Sequence, residues 1–355
     1  MFIFLFMEAT RDDRDIAATI DIVVFCTCIS LLVIKCVSIT VNREKLARNI
    51  RAAINDWSSV VKDEDSLEIM KKNAFKTRRF TLILTWSIVA PSVLYIFGIV
   101  YVNLKQALLL ADLNATEGDN ITINWMFLIP SGMLGSRVTG PQYAMIFTVQ
   151  IFQIAVICLS QLVSEPFYIN VTLHLAGQLG ILKRKFENLA NKPDTVTNRR
   201  KQLASLVDRH CELTELNENL EDTFHLIIFF QIVLAGLLLS ITGLRIEFCI
   251  RTNNYFELTK SILVMNFCFL QSMMYSYGGE FVQAGSEDIF HAMFKNSWFT
   301  LPATLMKDLR FAMMRSSNPF RLTGGKLFYT NRETIVFLLR RTVSYISVLR
   351  IALGD

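Results

Sequence analysis

Charge is absent from several bilayer-width stretches of this chain, and polar, mostly basic segments separate them. No charged residue falls between Arg79 and Lys105, so Phe80 to Val102 is long enough to cross a hydrocarbon core of roughly 30 Å as a helix. Val138 to Ser164, Thr223 to Leu244 and the shorter Ser261 to Gly279 are equally uncharged, and Ile16 to Val41 is apolar except for Asp21 and Lys35, which lie toward its two ends. The pattern predicts an all-α, polytopic helical membrane bundle with spans at about 16–41, 80–102, 141–164, 223–244 and 259–280. Core helices of soluble proteins rarely carry uncharged runs of ~20 residues. Composition agrees: 52% of residues are hydrophobic, only 19% are charged, and the mean hydropathy is +0.38.

Basic residues alternate along the chain. Residues 42–79 carry ten Lys and Arg, 103–140 two, 165–222 eight, 245–258 two and 281–332 seven. The positive-inside rule therefore reads 42–79, 165–222 and 281–332 as cytoplasmic loops and segments, and 103–140 and 245–258 as outside. The sequons at Asn114 and Asn120 both fall in 103–140, which makes these two the candidate glycosylation sites. A third, at Asn170, lies on the inner side and is read as silent. The net charge of +5 is accounted for by these topology-setting residues and calls for no nucleic acid.

Met1 to Met7 is apolar but too short to span, with neither a basic n-region nor a small-residue cleavage site. It reads as the last turns of a first span that is mostly missing, which predicts a chain truncated at its N-terminus. Five of the seven cysteines sit in spans and Cys211 is assigned inside, so no disulfide framework is predicted. Four histidines without ligand spacing, and the absence of a Gly-rich phosphate loop, point to no cofactor, no metal and no enzyme.

Residues 286–315 mix Phe290, Phe294, Trp298, Leu305 and Leu309 with charges, as helices packed on a partner do. Ser316 to Pro319 breaks that pattern, Gly324-Gly325 turns the chain, and Thr330 or Asn331 can cap a helix that begins near 332. That helix carries Arg340 and Arg341 at its middle, a depth at which charge is costly in lipid, so it should face protein or water.

The run Asn318-Pro319-Phe320-Arg321-Leu322-Thr323-Gly324-Gly325-Lys326-Leu327-Phe328, with Ser344-Tyr345 and Leu349-Arg350 after it, resembles the terminal signature of insect odorant receptors. Gly278-Gly279-Glu280 ahead of Ser286, and Asn296-Ser297-Trp298, resemble the approach to the seventh helix of that family. Val343 stands where many members have Ser or Tyr. The resemblance implies an inverted seven-transmembrane topology with the N-terminus inside, the orientation that the loop charges also give. It further implies an odorant-gated, nonselective cation channel, assembled with the odorant co-receptor as a heterotetramer in the plasma membrane of a sensory neuron dendrite. Residues 1–280 would then be the transmembrane ligand-binding bundle, 281–331 a cytoplasmic anchor region and 332–355 the last, pore-lining transmembrane helix.

A small volatile hydrophobic ligand is expected in the outer half of such a bundle. Converted by orientation, this selects Phe25, Tyr95, Ile99, Phe147, Gln150, Phe267 and Gln271 as ligand-binding candidates. Gln150 and Gln271 stand out, because an amide in a span wants a partner that a ligand carbonyl or hydroxyl could supply. Phe337, Arg341, Ser344 and Val348 share one face of the last helix and are the pore-lining candidates. A gustatory-type chemoreceptor channel is the alternative, although it would carry Thr-Tyr and Gln-Phe in the last helix. A G-protein-coupled receptor would need the opposite orientation.

Overall fold

The computed structural model describes residues 16–61, 63–117, 126–128, 140–189, 195–295 and 298–352. Eight α-helices are present among them: α1 (Ile16–Val41), α2 (Arg43–Val60), α3 (Glu64–Glu117), α4 (Gly140–Asn188), α5 (Val196–Arg251), α6 (Tyr255–Lys295), α7 (Ala303–Ser316) and α8 (Arg332–Ala352). A 3-10 turn at Trp298–Thr300 joins α6 to α7, and a two-stranded antiparallel hairpin, β1 (Thr323–Gly324) with β2 (Phe328–Tyr329), precedes α8.

Helices α1, α3, α4 and α5 each contain a window apolar and long enough to cross a membrane. Only 17% of that window in α3 and in α4 is buried inside the chain, so Trp86, Phe97, Tyr101, Phe152 and Val163 present apolar surface outward, where lipid covers it. The chain is a multi-pass membrane protein.

The helices run far past their apolar windows. At 56 residues α5 is about 80 Å long, well over twice the hydrocarbon core. The basic segments 42–79 and 165–222, expected as loops, are therefore mostly helix, formed by α2, the start of α3, the end of α4 and the start of α5. Lys, Arg, Glu, Leu and Gln are good helix formers, and α4 continues through Pro166. Helix α6 has no such window, and its polar side chains lie inward. Ser261, Gln271, Ser272 and Ser276, at most 1% exposed, face α4 and α5 rather than lipid.

Toward the charge-assigned inner side, α4, α5 and α6 meet on three rings that are fully buried. Tyr168 packs edge-on to Phe224 with centroids 5.0 Å apart, lies 4.7 Å from the Tyr275 ring, and donates its hydroxyl to the Tyr275 carbonyl at 2.9 Å. Gly278 makes the space: a β-carbon there would sit 2.6 Å from the Tyr168 ring.

The segment from Phe320 to Asn331 docks on the same helices. The Phe320 N–H donates to Ser286 Oγ at 3.1 Å, the Thr323 N–H to Glu221 Oε2 at 2.8 Å, and the Gly325 N–H to the His225 carbonyl at 2.8 Å. Gly325 has φ +60, which a side chain would strain, and Gly279 lies so close to the Thr330 carbonyl that a β-carbon would come within 2.1 Å of it. Asn331 then caps α8, accepting the Thr334 N–H at 3.2 Å. The terminal signature is thus the lock that seats α8. Leu338 rests against Gly236 and Ile346 against Gly243 of α5.

Candidate ligand cavity

Helices α1, α3, α4, α5 and α6 line one large cavity of about 460 Å³, within the range of small-molecule sites. It lies in the half of the bundle that the loop charges place outward, and its wall is almost wholly apolar. Phe25 and Leu31 come from α1, Ile88 and Tyr95 from α3, Ile154 and Ile157 from α4, Leu238 from α5, and Leu263, Val264 and Phe267 from α6. Pro91, inside α3, also lines it; as a proline it cannot donate to the Ser87 carbonyl, which leaves the helix short of one backbone bond at the cavity wall.

Two polar clusters close the cavity at its ends. At the outer end, the buried Arg245 guanidinium bonds Asp21 at 2.6 Å and also Glu257, while Lys260 bonds Asp21 and stands 5.4 Å from the Tyr95 ring. Asp21 and Lys260 line the cavity, and the four charges sum to zero. At the inner end, Lys35 and Glu165 form an ion pair at 2.5 Å with exposures of 1% and 0%. Lys35 also donates to Gln161 Oε1. The Gln271 amide nitrogen bridges Gln161 Oε1 at 3.2 Å and Glu165 Oε1 at 3.1 Å, and Gln271 Oε1 accepts from Gln231 Nε2 at 2.8 Å. Gln161, Gln231 and Gln271 form the cavity floor. Ion pairs buried at this depth offset their desolvation only with such additional hydrogen bonds.

Of the seven ligand-binding candidates, Phe25, Tyr95, Phe267 and Gln271 lie in the cavity wall. Ile99, Phe147 and Gln150 lie together elsewhere, packed around Leu128, a residue of the 126–128 segment. Gln150 Oε1 accepts the Leu128 N–H at 3.0 Å and Tyr95 donates its hydroxyl to the Leu128 carbonyl at 2.8 Å, so these side chains hold a connecting segment against α3 and α4. The partner for Gln150 Oε1 is the backbone, and both ends of the Gln271 amide are already used within the bundle. Gln161 and Gln231, not selected from the sequence, carry the same signal of an amide inside an apolar span. The Asn120 sequon lies outside the described residues, as does the side chain of Asn114.

The candidates on α8 fall on its outward side. Phe337 is 58% and Val348 60% exposed, Ser344 is exposed between them, and the Arg341 guanidinium lies 5.0 Å from the Phe337 ring. The opposite face, with Ile335, Leu338 and Thr342, is buried.

The family model described as 7tm Odorant receptor matches residues 15–342. Among curated proteins, Odorant receptor 10 of Aedes albopictus is 22% identical over 230 residues, 62% of this chain and 60% of that protein. Odorant receptor 82a of Drosophila melanogaster is 20% identical over 59% of this chain and 54% of its own length. The matched part thus spans little more than half of these relatives. Among solved structures, the insect olfactory receptor OR5 from Machilis hrabei in complex with eugenol superposes with a TM-score of 0.67 at 13% identity, covering 99% of this chain and 87% of that one. A second structure of the same receptor gives a TM-score of 0.57 at 14% identity, covering 94% and 87%. At these identities the likeness establishes the helical-bundle fold, while the family match extends over nearly the whole chain. The chain belongs to the seven-transmembrane odorant receptor family, a family of receptors and not of enzymes.

Proposed function

We propose that this chain is the tuning subunit of an odorant-gated, nonselective cation channel, assembled with the odorant co-receptor in the plasma membrane of a sensory neuron dendrite, with the cavity as its odorant site. The observation that carries the proposal is a large, almost wholly apolar cavity, in the half of the bundle that the loop charges place outward, in a chain that belongs to the odorant receptor family. A solved olfactory receptor of the same fold holds eugenol, which supports a small organic ligand for this bundle as well.

The wall sets the kind of recognition. Burying ~8–10 ligand carbons at about 0.8 kcal/mol each gives roughly 6–8 kcal/mol before immobilisation costs, so affinity is micromolar at best. One methylene changes such binding by only ~1–3 kcal/mol, which makes tuning across chain lengths broad.

Gating requires a ligand that binds the open arrangement better than the closed one. Helix α5 contributes Gln231, Ala235 and Leu238 to the cavity and carries α8 on its other side, through Gly236 and Gly243. A shift of α5 on ligand binding is passed directly to α8, whose exposed Phe337, Arg341, Ser344 and Val348 then line the pore or meet the neighbouring subunits. The stretch 281–331, with Phe294, Phe299 and Phe311 exposed, serves as the cytoplasmic anchor between subunits.

Whole-cell recording of an odorant panel, in cells expressing the chain with an insect odorant co-receptor and in cells expressing the co-receptor alone, tests this reading. Odorant-evoked cation current that requires the chain is expected. Silence of the chain at the cell surface across the panel would overturn it.

A further inference from the structure

Just before its apolar run begins at Phe80, α3 carries Lys71, Lys72, Lys76, Arg78 and Arg79, and the next carboxylate along the chain is Asp112. At 1.5 Å per residue these cations occupy about 12 Å of helix, at the boundary that loop charge assigns to the inner side. Other basic residues on that side are neutralised within the chain: Lys45 bonds Asp222, Lys183 bonds Asp288, Arg184 bonds Asp65 and Arg200 bonds Asp308. Lys71, Lys72, Arg78 and Arg79 are exposed, and among the described residues none of them has a hydrogen bond or an ion pair. Glu68, one turn back, is exposed and bonds neither lysine.

The positive-inside rule accounts for the side on which these charges lie, but not for where they converge. Lys72, Lys76 and Arg79 fall within about 60° of one another around the helix. Lys76 fixes the direction of that face, its Nζ standing 5.1 Å from the Phe281 ring of α6. Phe281 stacks on Tyr277 with centroids 6.3 Å apart, and Phe80 packs on both, at 6.3 Å from Tyr277 and 6.4 Å from Phe281. The guanidinium of Arg332, the first residue of α8, lies 6.0 Å from the Tyr277 ring. Cations from α3 and α8 thus flank one aromatic platform of α6. Its carboxylate is Glu280, which accepts the Arg332 N–H at 3.3 Å and pairs with the guanidinium at 3.5 Å. Lys72, Lys76, Arg79 and Arg332 therefore outnumber the counter-charge, and cations crowded in this way repel one another until anions join them. The same face of α3 continues into the apolar run as Ile83 and Trp86, both exposed, and Phe75 is exposed among the cations.

We infer that this patch binds the polyphosphorylated headgroup of an inner-leaflet lipid, a phosphoinositide. Its phosphates bridge the basic end of α3 to the base of α8, while its acyl chains run along Ile83 and Trp86. A headgroup with several phosphates meets the whole excess of charge at once, whereas a phosphatidylserine carries a single net charge. The site is separate from the ligand cavity and stands independently of the odorant reading.

The full chain, purified in detergent, is titrated with a fluorescent short-chain phosphatidylinositol bisphosphate, with phosphatidylserine and the free headgroup inositol trisphosphate as competitors. Saturable binding is expected, displaced by unlabelled phosphatidylinositol bisphosphate at lower concentration than by either competitor. Lys72→Gln combined with Arg79→Gln should weaken it roughly tenfold or more, and Arg332→Gln should weaken it also. Lys72 and Arg79 are exposed and bonded to nothing, so their replacement should leave the melting temperature in place. Lys201→Gln, at an exposed cation of a different basic run, should leave the affinity unchanged. Absence of saturable binding to the unaltered chain, or equal affinity in the double variant, would overturn the site. Displacement by phosphatidylserine at equal concentration would reduce it to general surface charge, and displacement by inositol trisphosphate at equal concentration would make the occupant a soluble polyphosphate; either result overturns the lipid assignment.

Discussion

Lys35 and Glu165, separated by 130 residues in sequence, meet at 2.5 Å with both side chains sealed from solvent. They join α1 to α4 beneath the cavity, and the glutamines of α4, α5 and α6 complete the cluster. Removing one charge strands the other. Lys35→Met should therefore destabilise the bundle by about 3–5 kcal/mol, whereas Lys35→Met with Glu165→Leu should recover a large part of that loss. Thermal unfolding in detergent of the two variants checks this; equal losses would mean that the pair is not coupled.

Gly279 and Thr330 are a second close relationship, the one that seats the C-terminal hairpin. Gly279→Ala should cost about 1–3 kcal/mol or more through overlap with the Thr330 carbonyl, and should expose residues 318–331 to limited proteolysis. Gly140→Ala, at a position with nothing within 4 Å, is the control and should leave the cleavage pattern unchanged.

His210 gives the part of the bundle that loop charge assigns to the inner side a pH dependence. It is buried against the Phe320 ring, at 5.5 Å, and burial first and the Arg315 charge second push its imidazole below the ordinary 6.5. Above 6.5 both folded and unfolded states are neutral there, and the residue adds no pH dependence. As pH falls from 6.5 toward the depressed folded value, the unfolded state takes the proton first and stability is lost. Melting temperatures compared at about pH 7.5 and about pH 5.5 should fall on acidification, and His210→Phe should reduce the fall.

The lipid-facing spans were legible because their signal is local. A run such as Phe80 to Val102 needs no tertiary knowledge to be read, and the hairpin turn at Gly324-Gly325 and the Asn331 cap depend on neighbouring residues only. Lys35 and Asp21 were visible as charges in a span, but their partners, Glu165 on α4 and Arg245 and Lys260 on α5 and α6, are set by packing. The long helical extensions were hidden for a related reason. Charge density marks a segment as outside the bilayer and says nothing about whether its backbone continues as helix, which Lys- and Glu-rich sequence does readily. Among the ligand candidates, depth in the membrane selected Phe25, Tyr95 and Phe267 together with Ile99 and Phe147, because depth alone cannot distinguish a side chain facing the cavity from one packed on the Leu128 segment.

The account turns on the cavity being where the ligand acts. Filling it from two different helices, with Ile157→Phe on α4 and Val264→Phe on α6, leaves the exposed face of α8 untouched. Current evoked by an effective odorant should fall at least tenfold in sensitivity in both variants at equal surface expression. Unchanged odorant sensitivity in both would contradict the account, because the ligand would then be acting somewhere other than this cavity.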